Sequence, residues 1–309
     1  MLDRFFYREK GLFLQSLHPL SALMYIAVLL VLTLMFNHPL YLLGLLAVTV
    51  TAIRAVDGID AWKTFFKVSL GAVFVIIIVN AVTVRAGETV IWHGPYIPVF
   101  GKLDVSLEAV CYGADMGLRL LDIMSIFCLY NFMIHPDRVM DLLSRFSSKS
   151  ALVLSLAARM YPAMVIRLDS IREVQAARGI NFNAGTLKER MGKYAVLIKI
   201  LLLTSLEDSQ ETAEAMYARA FGSGRRSHYV RDVWRLRDSV CLTASLLALG
   251  AATYGWAKGL GTFSFYPRLA YLIDGYTGIV FFFTVIFLLS FPLMLSWGWH
   301  NCPFIKSKI

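Results

Sequence analysis

Two arginines carry the best-defined chemical signature in this sequence. Arg178 closes the run Ala176-Ala177-Arg178-Gly179, and Arg219 closes Met216-Tyr217-Ala218-Arg219-Ala220-Phe221-Gly222. Each sits at the end of a long helical pattern, with small residues around it and a glycine following. Alanine lets a partner surface approach the helix backbone closely. Gly179 and Gly222 suit positive-φ stops at or just past a helix C-terminus. The guanidinium is a planar, permanently charged fork that pairs with a carboxylate through two parallel hydrogen bonds. The chemistry implied is recognition of an acidic groove. One such arginine alone would only complement the helix dipole. Two of them, closing successive segments set between membrane spans, read as a pair of docking prongs.

Other chemistry finds little support. There is no GxxxxGK[ST] phosphate loop, and Gly192-Lys193 lacks the upstream glycine at the right distance, so no nucleotide site is expected in this chain. Histidines His18, His38, His93, His135, His228 and His300 are scattered, with no pair at helical spacing, and read as turn or interface residues. No metal site is expected, and no cofactor in this chain. Cysteines Cys111, Cys128, Cys241 and Cys302 form no CxxC pair and read as small hydrophobes. No Ser-His-Asp or Cys-His arrangement can be argued from spacing. One intramembrane cluster stands out: Asp115, Arg119 and Asp122 share a helix face at i, i+4 and i+7. Charges at bilayer depth normally pair and face protein, so an internal ion pair that locks helix packing is the favoured reading, with a transport role as the alternative.

The elements that position the arginines follow from composition and periodicity. Of 309 residues 58% are hydrophobic, and mean hydropathy is +0.62. This exceeds the apolar share of about 45–50% in soluble domains. The excess lies in long runs, so the expected class is an all-α polytopic membrane protein with about six spans. The formal net charge of +9 reflects basic residues that set membrane orientation; no nucleic acid is expected as a partner. The spans are Leu17–Phe36, Pro39–Ile53 (extended by Arg54–Val56), Val68–Val84, one within Ser106–Ile134, Val240–Ala257 and Tyr276–Trp297. A polar connector with Trp62, Lys63 and Lys67 precedes the third span. Arg85–Val105 reads as a small external hairpin turning at His93-Gly94-Pro95. Pro136–Phe146 reads as an amphipathic helix, and Ser223–Arg237 as a basic linker. The N-terminal stretch Met1–Gln15 is amphipathic and has no signal-peptide pattern.

The expected organisation is a membrane bundle over residues 1–134, cytoplasmic helices over 135–237 and a two-span hairpin over 238–309. The basic residues assigned outside are Arg85, Lys102, Lys258 and Arg268; apart from the intramembrane Arg119 the others fall inside, with both termini cytoplasmic.

The segments that bear the arginines run from Ala151 to Arg178 and from about Leu187 to Phe221. In the first, Leu152, Leu156, Met160, Met164, Leu168 and Ile171 form an apolar stripe, with Arg159, Arg167, Asp169, Arg172 and Glu173 largely off it. Pro162, in mid-helix, should kink it. In the second, Leu187, Met191, Tyr194, Ile198, Leu201 and Leu202 share one face, and a polar half with Glu207, Asp208, Glu211 and Glu214 follows. Such helices lie along an interface or pack on each other without spanning.

The sequence resembles the transmembrane coupling (T) component of energy-coupling factor transporters, the family that includes CbiQ-like cobalt permease subunits. The resemblance covers most of the chain. It rests on His18-Pro19, Ile134-His135-Pro136-Asp137-Arg138, Leu156-Ala157-Ala158-Arg159-Met160-Tyr161-Pro162 and both Ala-Arg motifs. It implies that Ala177-Arg178-Gly179 and Ala218-Arg219-Ala220 sit on crossing helices. They would dock into two cytoplasmic ABC ATPases, which bind the ATP, while apolar helix faces cradle a substrate-binding S component. Ala220 departs from the commoner glycine, and with Gly222 downstream docking is expected to survive. The resemblance implies a non-catalytic subunit of an importer of a vitamin or transition-metal ion in a bacterial or archaeal cell membrane. Selectivity would lie in the S component, leaving cobalt, nickel, biotin and folate open. The competing readings are a stand-alone secondary transporter, which predicts a midplane polar site and often an internal repeat, or a membrane scaffold.

Overall fold

The computed structural model describes residues 12–84, 87–97, 101–135, 138–140, 142, 148–182, 184–224, 233–267, 269–270 and 275–301. The elements are α1 (Pro19–Met35), α2 (Pro39–Ala55), α3 (Ile59–Thr83), β1 (Val90–Ile97), β2 (Gly101–Ser106), α4 (Leu107–Met133), α5 (Ser148–Ala177), α6 (Leu187–Ala218), α7 (Leu236–Ala257) and α8 (Gly275–Asn301). They divide into two units: Met1–Val139 together with Asp232–Ile309, and Met140–Arg231.

The first unit is a bundle of apolar helices. Four of them, α3, α4, α7 and α8, are long and apolar enough to cross a bilayer. Helices α1 and α2 have 17 residues each, at the short end of the spanning range. Their burial offsets that shortness. Leu29 and Leu32 of α1 and Leu42 and Ala52 of α2 are fully buried, so protein covers much of their surface. Both helices begin alike. His18 and His38 each accept the N–H two residues on, at 3.2 Å, and proline takes the first helical position, where no backbone donor is needed. These two histidines are caps.

Two sequence expectations change here. The polar connector with Trp62, Lys63 and Lys67 is instead the first half of α3, which starts at Ile59. Its polar residues find helical partners: Lys63 pairs with Asp60 at 3.0 Å, and the Trp62 indole donates to Ser125 Oγ of α4 at 2.9 Å. The expected hairpin is present, but His93-Gly94-Pro95 lies inside β1. A register shift between His93 and Tyr96 marks the irregularity there. Glycine and proline suit a bulge as well as a turn. The strand connection, 98–100, lies outside the described residues. So do 1–11, most of the expected helix Pro136–Phe146, residues 225–232 of the basic linker, and Cys302.

The end of the bundle near Phe36 is closed by the segment after α7. The Asn37 N–H donates to the Gly261 carbonyl at 3.3 Å. Gly261 has φ +83°, and a Cβ there would stand 2.6 Å from the Phe36 ring. Phe36 is fully buried and has little room to yield. Gly261→Ala should therefore destabilise the protein by about 2–4 kcal/mol, from backbone strain plus overpacking. A lowered thermal midpoint of the detergent-solubilised protein checks this.

Candidate functional site

The second unit contains α5 and α6, joined by a short segment into an antiparallel hairpin. Arg167 of α5 forms an ion pair with Asp208 of α6. At the closed end Phe182 is buried and its ring lies 5.6 Å from that of Tyr194. Lys193 Nζ donates to the carbonyls of Asn181 and Ala184 at 2.7 and 2.8 Å. Thr186 and Glu189 form a capping box that starts α6. Neither α5 nor α6 is among the helices apolar enough to span.

The α5 stripe behaves as its periodicity predicts. Leu152, Leu156, Met160, Met164, Leu168 and Ile171 are half-buried, while Arg159, Asp169, Arg172 and Glu173 are exposed. Helix α5 is assigned without a break through Pro162.

The apolar face named on α6 is its exposed one. Leu187, Met191, Tyr194, Ile198 and Leu202 are all exposed; of the six residues expected there, only Leu201 is half-buried. Between Tyr194 and Leu206 the covered positions are Leu197, Ile200, Leu201, Thr204 and Ser205. Over Tyr194–Leu206 the helix is apolar nearly all round, so periodicity alone did not define which side packs.

Both arginines stand exposed at the helix ends, and their backbone geometry is the same. After α5, the Gly179 N–H donates to Ala176 O at 2.9 Å and the Ile180 N–H to Gln175 O at 3.2 Å. After α6, the Ala220 N–H donates to Tyr217 O at 2.9 Å and the Phe221 N–H to Met216 O at 3.0 Å. Each is a Schellman cap with arginine as the last, half-helical residue and a left-handed residue after it. That left-handed residue is Gly179 (φ +88°) in one and Ala220 (φ +54°) in the other. The α6 stop is thus Ala220; Gly222 (φ +94°) is a second positive-φ position further on. The same cap closes α7 at Lys258, with Gly259 at φ +79°. The cap alone is therefore not a docking signature. What distinguishes Arg178 and Arg219 is that they close non-spanning helices of one unit.

The intramembrane charges lie together in the bundle. Asp115 and Asp122 are 3% and 0% exposed. Arg119 approaches Asp115 at 3.6 Å, an ion-pair contact too long for a hydrogen bond. Its bonds go instead to the Phe36 carbonyl at 3.0 Å and Asn37 Oδ1 at 2.7 Å, so it fastens α4 to the α1–α2 turn. The Asp122 oxygens have no hydrogen-bond partner among the described residues.

Sequence reasoning missed Glu108, one heptad before Asp115 on the same α4 stripe. It is 1% exposed and accepts from Thr89 N and Oγ1 at 3.2 and 2.5 Å, pinning the hairpin to the α4 start. The signal available was the spacing of seven. Among the described residues no group of His, Cys, Asp and Glu is placed to hold a metal ion.

These features define a polytopic helical membrane protein that carries a non-spanning helical hairpin with an exposed arginine at each helix end. A family model for CbiQ, cobalt transport protein, matches residues 12–230, and the chain belongs to that family. It is 24% identical over 245 residues to the energy-coupling factor transporter transmembrane protein EcfT of Staphylococcus aureus, covering 75% of this chain and 88% of that one. For EcfT of Bacillus selenitireducens the identity is 26% over 223 residues, covering 67% and 81%. For EcfT of Bacillus subtilis it is 27% over 173 residues, covering 52% and 65%. The chain is thus the transmembrane component of an energy-coupling factor transporter.

Two outcomes test this geometry. Ala220→Gly should stabilise the protein and Gly179→Ala should destabilise it, each by about 1 kcal/mol, because only glycine takes the left-handed region without strain. Thermal melts of both variants should move in opposite directions. Arg119→Met should destabilise by about 3–5 kcal/mol by leaving Asp115 buried and unpaired, and adding Asp115→Asn should recover much of the loss. Yield and melting of the single and double variants check the coupling.

Proposed function

We propose that this chain is the non-catalytic coupling subunit of an ATP-driven importer of a vitamin or transition-metal ion. Two cytoplasmic ABC ATPases bind and hydrolyse the ATP, and a substrate-binding S component confers selectivity. Arg178 and Arg219, with Ala177, Gly179, Ala218 and Ala220 around them, are the docking prongs. The observation that carries this reading is the pair of identically capped, exposed arginines on one non-spanning hairpin. The cap satisfies two helix-end carbonyls at each site with backbone N–H groups, and the guanidinium stands available to pair with carboxylates on a partner. The flanking alanines and glycine keep the tip slender enough to enter a groove.

In this mechanism ATP binding draws the two ATPases together. Each prong follows the ATPase that grips it, and α5 and α6 move with the prongs. The outward apolar residues of α6, Leu187, Met191, Tyr194, Ile198 and Leu202, suit contact with the S component or lipid. The prongs face the cytoplasm, with both chain termini on that side, in agreement with the distribution of basic residues.

The Arg178→Glu, Arg219→Glu double variant should lose association with the ATPase pair while keeping wild-type helicity and elution in detergent. Charge reversal replaces attraction by repulsion at each groove. Co-purification of an intact ATPase pair with this variant would overturn the reading.

A further inference from the structure

The chain passes from the bundle to the inserted unit, Met140–Arg231, and back again at two places, and movement of that unit can reach the spanning helices through them. The leaving end is at Val139 and the returning end at Asp232. Each carries an arginine close by, and both arginines grip the same short piece of the bundle. Arg138 donates to the Gln15 carbonyl at 3.0 Å. Arg237, in the first turn of α7, donates to the adjacent Ser16 carbonyl at 2.7 Å. These carbonyls belong to the single turn Leu14–Ser16, which leads directly into α1.

The turn is tied to the bundle by further bonds. The Gln15 side-chain amide donates to the Phe132 carbonyl, near the end of α4, at 3.0 Å. The His18 N–H donates to Asp238 Oδ1 at 2.8 Å. The other Asp238 oxygen accepts the Arg235 N–H at 2.9 Å, completing the α7 capping box. The His18 ring lies 4.7 Å from that of Trp234, and the Arg237 guanidinium sits over Phe13 at 5.6 Å. Gln15, His18, Arg237 and Asp238 are all buried. Bonds from charged donors to carbonyls in such surroundings are stronger than neutral ones.

We infer that Arg138 and Arg237 are positioning residues that form a clasp: they carry movement at both roots of the coupling hairpin into the turn that begins α1. The inference rests on the coupling reading above and extends it to residues inside the bundle. With both guanidinium bonds in place, a shift at either root pulls on Gln15 or Ser16, and through them on α1, α4 and α7 together. Without them, the turn keeps its bonds to Asp238 and Phe132 but loses the two guanidinium ties that link it to the roots.

Hydrogen–deuterium exchange on the full chain, purified with its ATPase pair, tests this. In the wild type, amides 13–20 should change exchange rate by about threefold or more between the nucleotide-free and ATP-bound complex, the scale of a local opening equilibrium. In the Arg138→Met, Arg237→Met double variant these amides should exchange about tenfold faster and equally in both states, while the ATPases still co-purify. A merely structural role would give no nucleotide dependence in the wild type. The Arg138→Lys, Arg237→Lys pair, which keeps one donor per carbonyl, should preserve the response and serves if the Met pair fails to fold. An unchanged rate on adding ATP in the wild type, a response that survives in the Met pair, or a Lys pair that folds but has lost it would overturn the clasp and leave the coupling reading standing. Failure of the wild-type chain to bind an ATPase pair would overturn both.

Discussion

Hydrocarbon offers backbone N–H and C=O groups no water, so a chain that crosses it must satisfy them within helices or closed barrels. The bundle is built on that requirement. Its helices use their middles for packing and lipid contact, and their specific chemistry is placed at the ends, where backbone groups run out of intrahelical partners. His18 and His38 complete the starts of α1 and α2. Glu108 holds the hairpin at the start of α4. Arg138 and Arg237 take up two carbonyls of the turn before α1. The exposed arginines of the second unit obey the same rule, since each stands at a helix terminus closed by its own backbone.

The exception is the charge set inside α4. Arg119 reaches from that helix to the α1–α2 turn, so its role is to fasten neighbouring helices together while offsetting Asp115. Small residues on the same helix allow close packing. At Gly113 an added Cβ would lie 3.0 Å from the Ile77 backbone of α3, and at Gly117 it would meet Val73 at 2.6 Å. Polar bonds and small residues together are how helices associate where burial of apolar surface gives little drive.

Much of this was legible in the sequence. The six apolar helices, the hairpin and the two long non-spanning segments followed from hydropathy runs and turn residues. The α5 stripe followed from 3.6-residue periodicity because that helix has one apolar side. Helix α6 did not yield in the same way. It is apolar on several sides over Tyr194–Leu206, and which of them packs depends on where α5 lies. The connector before the third span was misplaced for a related reason: Lys63 and Lys67 break the apolar run but do not break the helix.

The sequence by itself determined the all-helical class, the position of the two arginines at helix ends and the absence of a phosphate loop. These depend on composition and on residues within a turn or two of each other. Only the tertiary structure decided that Ala220 takes the left-handed position that glycine takes after α5. It alone joined Gln15, Ser16, Arg138, Arg237 and Asp238, and set Arg119 against Phe36 and Asn37. Such pairings join residues far apart in the chain, and their geometry is fixed by which helices become neighbours, a matter of packing that no local pattern encodes.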